Sequence, residues 1–238
     1  MKRKLGLLVL VALLLAGCST YERVLVPPKV SVGGSNTIAI LFFDNLTDDY
    51  ALSYEIEQQL SKGLSSYYRI IEPNEAEWAL VRLGLRRGQT PSPDEVVRLG
   101  QLLGVDAVLF GEVSGYFAPI TQTPPYIARN RTNDKGQKEY QWEVSQNTRV
   151  MVSFTGRVMS TRGGNVIYRN RVEGEDSRDR KDVILPDWFP EGKQPSAWSV
   201  PRPTSADIAS TRQAALREAA DQFIADLLPT YVWRKVEE

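Results

Sequence analysis

Three aspartates, Asp44, Asp48 and Asp49, follow the apolar run Ile38-Ala39-Ile40-Leu41-Phe42-Phe43, and the end of a strand is where α/β sheets gather their ligand sites. Carboxylates grouped there can hydrolyse a glycosidic bond or hold a divalent cation. The same residue types also serve structure, since Asp48 and Asp49 complement the N-terminus of a following helix and Asp44 makes a turn. A second charged stretch, Glu173-Gly-Glu-Asp-Ser-Arg-Asp-Arg-Lys-Asp182, mixes both signs and reads as a solvated loop.

Composition removes most other chemistry. The chain has no histidine, so neither a Ser-His nor a Cys-His catalytic set can be built, and imidazole metal sites are ruled out. No phosphate loop and no dinucleotide fingerprint occurs, and Gly111-Glu-Val-Ser-Gly115 is too short for either. The expectation is a chain that is not an enzyme and that carries no metal and no cofactor. A carboxylate-dependent cell-wall hydrolase is the catalytic alternative.

The sole cysteine, Cys18, has a different use. Lys2, Arg3 and Lys4 precede an apolar run from Leu5 to Leu15 that is 11 residues long, too short for the roughly 20 residues of a membrane-spanning helix. A basic start, a short apolar middle and small residues at the exit make a secretory signal peptide over residues 1–17. The exit Leu15-Ala16-Gly17-Cys18 has the form of a lipobox, so Cys18 is expected to carry acyl chains such as palmitate. Lipid there accounts for a lone thiol in an exported chain, and each buried methylene adds about 0.8 kcal/mol of anchoring. Ser19, rather than an aspartate, follows the cysteine and favours the outer membrane, with the chain facing the periplasm. The 221 residues after Gly17 hold 26 basic and 29 acidic side chains, a net charge of −3, which gives no general pull toward nucleic acid.

Stepping along the mature chain, residues 18–36 read as the lipidated cysteine and a flexible tether, because Pro27-Pro28 and Gly33-Gly34-Ser35 interrupt regular structure. A single domain is expected over 37–228, with a tail at 229–238. The run from Ile38 is a central strand. A helix over 48–67 carries Leu52, Ile56, Leu60 and Leu64 on one face, and 68–72 is a strand. Two helices start at Asn74 with Glu77 and at Ser92-Pro93 with Glu95. Residues 106–117 are a strand, and 148–160 and 166–173 form an antiparallel hairpin around Arg162-Gly-Gly-Asn165. Thr204 with Asp207 caps a last helix running to Leu228. The fold class is therefore α/β (α+β), a mixed β-sheet covered by helices in the order β-α-β-α-α-β-β-β-α.

Two long insertions, 118–147 and 174–203, interrupt that plan, and loops of this length are functional or disordered. In the first, Tyr140, Trp142 and Val144 alternate with polar residues and suggest a ribbon. The second sets Trp188, Phe189 and Trp198 among five prolines. These five aromatic residues, Tyr140, Trp142, Trp188, Phe189 and Trp198, are the candidate partner-binding set, since aromatic anchors dominate protein interfaces. The alternative for the 188–198 aromatics is that they fold back over the sheet.

The lipobox, the stretch Ile38 to Asn45 leading into a helix, the stretch Leu102-Leu-Gly-Val-Asp-Ala-Val-Leu-Phe-Gly-Glu-Val113, the hairpin and the closing helix resemble one superfamily. It contains the curli secretion channel CsgG, the Pel polysaccharide lipoprotein PelC, the penicillin-binding-protein activator LpoB and the N-terminal domain of TolB. The likeness covers residues 37–115 and 148–228. It implies a non-catalytic periplasmic domain that binds proteins of an envelope or secretion complex, often as a homo-oligomeric ring at the outer membrane. A CsgG-like secretion channel subunit is the alternative. Such a channel needs amphipathic hairpins with arms of about 9 to 11 alternating residues. The segment 118–147 offers three alternations and 174–203 is charged and proline-rich, so a transmembrane barrel is not expected.

Overall fold

A computed structural model describes residues 21–196, 199–202 and 204–235. The signal peptide, Cys18 and Trp198 lie outside the described residues. In chain order the elements are β1 (Tyr21–Val26), β2 (Thr37–Ile40), β3 (Asp44–Asn45), α1 (Leu52–Leu64), β4 (Arg69–Ile71), α2 (Pro73–Arg82) and α3 (Pro93–Leu103). There follow β5 (Ala107–Phe117), β6 (Ile120–Gln122), β7 (Tyr126–Thr132), β8 (Lys138–Ser160), β9 (Val166–Val183), β10 (Phe189–Pro190), α4 (Ser205–Ile224) and β11 (Thr230–Lys235).

The unbroken apolar run is the central strand. β2 is buried throughout and lies parallel to β4 on one side and to β5 on the other. Ile38 and Ile40 face one helical layer, where α1 and α4 supply Leu52, Ile56, Leu60, Leu64, Leu216 and Phe223. Ala39 and Leu41 face the second layer with Ala76, Ala79, Val96 and Leu99 of α2 and α3. Helices on both faces explain a continuous apolar run where a one-sided strand would alternate. β5 then pairs antiparallel with β8, and β8 with β9. The result is an open mixed sheet covered by helices, as the sequence predicts.

Local signals set the helix ends. Ser92 with Glu95, and Thr204 with Asp207, form capping boxes, and Gly104 closes α3 at φ 67. The box at α2 differs from expectation. It is built by Glu72 and Glu75 around Pro73, two residues before Asn74 and Glu77, because Pro73 occupies the first helical position and lacks only an N–H that would be unpaired there anyway.

The largest departure is at the two insertions, which supply β6, β7, β10 and long parts of β8 and β9 where loops are expected. β8 is 23 residues long and runs past the helices. Along one side it meets β5, β6 and β7 in turn, and along the other β9 and then β10. The sheet thus continues beyond the body as a wing of β7, β8 and the β9–β10 edge. The charged run 173–182 is the outer half of β9, not a loop, because its alternation is used by a helix. Arg178 donates to the Ser210 hydroxyl at 2.9 Å, Arg180 pairs with Asp207 at 2.8 Å, and the Glu175 N–H donates to Glu218 at 2.8 Å. Gly174 lets α4 approach, since a Cβ there would overlap the Ala215 carbonyl oxygen.

The tether and tail also differ from expectation. β1 and β11 pair antiparallel in a two-stranded ribbon. Between the ribbon and β2 the chain is held to the body. Lys29 pairs with Asp226 at 2.6 Å, and one Asp106 oxygen accepts from the Ser35 N–H at 2.8 Å, the Ser35 hydroxyl at 2.9 Å and the Thr37 N–H at 3.1 Å.

Candidate functional site

The wing gathers four of the five aromatic residues singled out from the sequence. Val144, Ile184 and Phe189 form a small separate core, with Trp142 and Val200 packed against it. Phe189 is only 9% exposed, so it folds back and covers the sheet rather than projecting as an anchor. Tyr140 lies opposite Phe189 in the pairing of β8 with β10 and donates its hydroxyl to Glu191 at 3.3 Å. Trp188 is half-buried beneath the Arg131 guanidinium, 4.2 Å from its ring centre. Arg131 also pairs with Glu139 at 2.7 Å, and that hydrogen bond, with one from Asn133, holds the Glu139 carboxyl below its ordinary value. Trp198 is outside the described residues.

Trp142 lies at the boundary between this small core and the surface. It lines an open groove of about 550 Å³ with Pro124, Pro125, Pro195, Val200 and Arg202. The two proline pieces come from the β6–β7 connection and from the segment after β10, joined across β8 by the sheet. The Gln146 amide ties the second piece down by donating to the Pro201 carbonyl at 2.5 Å. Among the described residues, Trp142 Nε1, Gln146 Oε1 and Asp182 Oδ2 are the buried side-chain polar atoms with no partner, and all three belong to the wing. Sequence reasoning missed the groove's other walls. Proline density was the available signal, but only the pairing of β8 with β6 and β7 brings Pro124 and Pro125 opposite Pro195.

The acidic cluster does structural work. Arg212 of α4 grips Asp49 through both terminal nitrogens and donates from Nε to Glu55 at 2.7 Å, with its guanidinium 5.2 Å from the Tyr116 ring. Asp49 also accepts the Ala51 N–H at 3.1 Å. The hydrogen bond from Arg212 holds the Asp49 carboxyl low despite partial burial. Asp44 and Asp48 are exposed, and Asp44 pairs with Glu112 through the backbone of β3 and β5. No group of three metal-ligating residues occurs among the described residues. One further carboxylate is perturbed. Glu57 of α1, 3% exposed, accepts the Phe43 N–H at 2.7 Å, and burial pushes its pKa up to about 7.

No protein-family model and no curated protein matches this chain. Among solved structures, it is similar to lipoprotein GNA1162 from Neisseria meningitidis at 13% identity and a TM-score of 0.39, over 68% of this chain and 89% of that one. The LpoB C-terminal domain from Salmonella enterica aligns at 12% identity and a TM-score of 0.38, over 61% and 87% of the two chains. The PelC dodecamer from Paraburkholderia phytofirmans aligns at 14% identity and a TM-score of 0.33, over 88% and 97%. Superpositions this loose carry no argument about role, which has to come from the chain's own residues.

Proposed function

We propose that this chain is a lipid-anchored, non-catalytic accessory factor of a cell-envelope or secretion complex, and that it holds a partner protein in the groove of its wing. The lipobox at Cys18 and the following Ser19 support attachment at the outer membrane, facing the periplasm. The observation that carries the proposal is the groove itself. Pro124, Pro125 and Pro195 present apolar walls on already restricted backbone, Trp142 adds a large flat surface, and Arg202 stands exposed at the rim. Such walls suit an extended polypeptide, since little conformational freedom remains to be lost when it docks. β8 carries the groove on the same strand that crosses the core, so the site is fixed to the body.

A channel role has less in its favour. On the apolar face of the wing, Trp142 and Val144 pack with Ile184, Phe189 and Val200 into the small core, whereas a membrane-crossing hairpin turns a continuous apolar face to lipid. Hydrolysis has less in its favour, because Arg212 pairs with Asp49 and Glu57 is buried. The charged outer half of β9 opposes lateral strand pairing at that edge, so a homo-oligomer, if formed, uses other surfaces. The test is purification of the anchored protein in mild detergent, comparing the unaltered chain with exposed groove-wall variants, Gln194→Glu and Arg202→Glu. Both variants should lose a co-purifying envelope protein while keeping their thermal midpoint. Undiminished co-purification with both would remove the groove from the account.

A further inference from the structure

β1 and β11 are the only described strands that belong to a two-stranded sheet. They pair over six residues, Tyr21 opposite Lys235 through Val26 opposite Thr230, and each packs chiefly on the other rather than on the body. A two-stranded ribbon is marginal in water unless something covers a face. Residues directly opposite in an antiparallel pair share a face, so Tyr21, Arg23, Leu25, Tyr231 and Trp233 lie together. Tyr21 is 56% exposed and Trp233 70% exposed. The Arg23 guanidinium sits 3.9 Å from the Tyr231 ring centre. The other face carries Glu22, Val24, Val26, Val232 and Arg234 and is the more ordinary of the two.

Tryptophan and tyrosine beside arginine is the composition that settles at a membrane–water interface, where the rings lie at headgroup level and the cation meets phosphate. The position of the ribbon fits that surface. Tyr21 is three residues after Cys18, so at most about 11 Å of extended chain separates it from the acylated position. A bilayer's polar layer is on the order of 5 to 8 Å thick on each side of its hydrocarbon. Lipid on Cys18 therefore brings the aromatic face to the headgroups without any search.

We infer that the Tyr21–Leu25–Tyr231–Trp233 face of the ribbon lies on the phospholipid bilayer as a second membrane contact beside the acyl chains. This rests on the reading of Cys18 as lipidated. The ribbon runs into Pro27-Pro28 and the Lys29–Asp226 pair, so membrane contact fixes how α4 and the sheet are presented, which a flexible tether would leave free.

The full chain, purified with its lipid, is reconstituted into vesicles of phosphatidylethanolamine and phosphatidylglycerol brominated at either shallow or deep acyl positions. Tryptophan emission is compared with that of Trp233→Phe, and intact mass is taken on the same samples. The unaltered chain should be quenched more by the shallow label than by the deep one. Trp233→Phe should lose most of that quenching with an unchanged thermal midpoint. Equal quenching of the two proteins, with Cys18 acylated, would overturn the inference alone and assign the face to a protein partner or a second copy. Quenching that depends on Trp233 in a chain without acyl groups would keep the ribbon contact and overturn the anchor.

Discussion

Replacing Glu57 with Gln should flatten a loss of stability that the natural chain suffers on going from mildly acidic to mildly alkaline solution. The Glu57 carboxyl is buried beside the turn after β2, and its pKa is pushed from the ordinary 4.5 to about 7. Burial is the dominant cause, only partly opposed by the Phe43 N–H and the charge of Arg87. Between those two values the folded chain keeps a proton that the unfolded chain has released, so stability falls as pH rises through that interval. At about 1.4 kcal/mol for each pH unit, the gap corresponds to about 3 kcal/mol. Gln keeps an oxygen for the Phe43 N–H and has no charge to bury. Urea unfolding at about pH 5 and about pH 8 should show the variant gaining about 2.5 kcal/mol relative to the natural chain across that span, because part of the loss has already occurred by about pH 5. Carboxylates held low, such as Asp49 and Asp207, are common to both proteins and cancel in the difference. Parallel stability profiles would show that the Glu57 carboxyl is not held protonated in the folded chain.

Gly174→Ala should cost about 1–3 kcal/mol, because its Cβ would displace α4 at Ala215 and Ala219; thermal unfolding checks this. Arg212→Met and Asp49→Asn, singly and together, should give a coupling of about 1–3 kcal/mol in a double-mutant cycle, between the values of exposed and buried pairs, since the side chains are 16% and 26% exposed. Cys18→Ser should accumulate as a chain that still carries residues 1–17, whereas the natural chain should show an acylated Cys18 by intact mass.

The parts of the fold that depend on local chemistry were readable from sequence. The capping boxes at Ser92 and Thr204, the four-residue spacing of Leu52, Ile56, Leu60 and Leu64, and the buried run at Ile38 each declare an element within a few residues. What was not readable depends on distant partners. The outer half of β9 has no apolar alternation, and its charges make sense only against Asp207, Ser210 and Glu218 of α4. β1 finds its partner at the opposite end of the chain. Tyr140, Trp142 and Val144 signalled a strand in the wing, but composition could not separate Phe189, buried in the small core, from Trp142, which also lines the groove.

Whether the wing's groove holds a partner in the envelope is decided by site-specific photo-crosslinking in living cells. A crosslinker at Gln194, on the groove wall, should capture one discrete envelope protein, whereas the same group at exposed Val81 on α2 should not. Capture of the same protein from both positions, or from Val81 alone, would show that the groove is not the docking site.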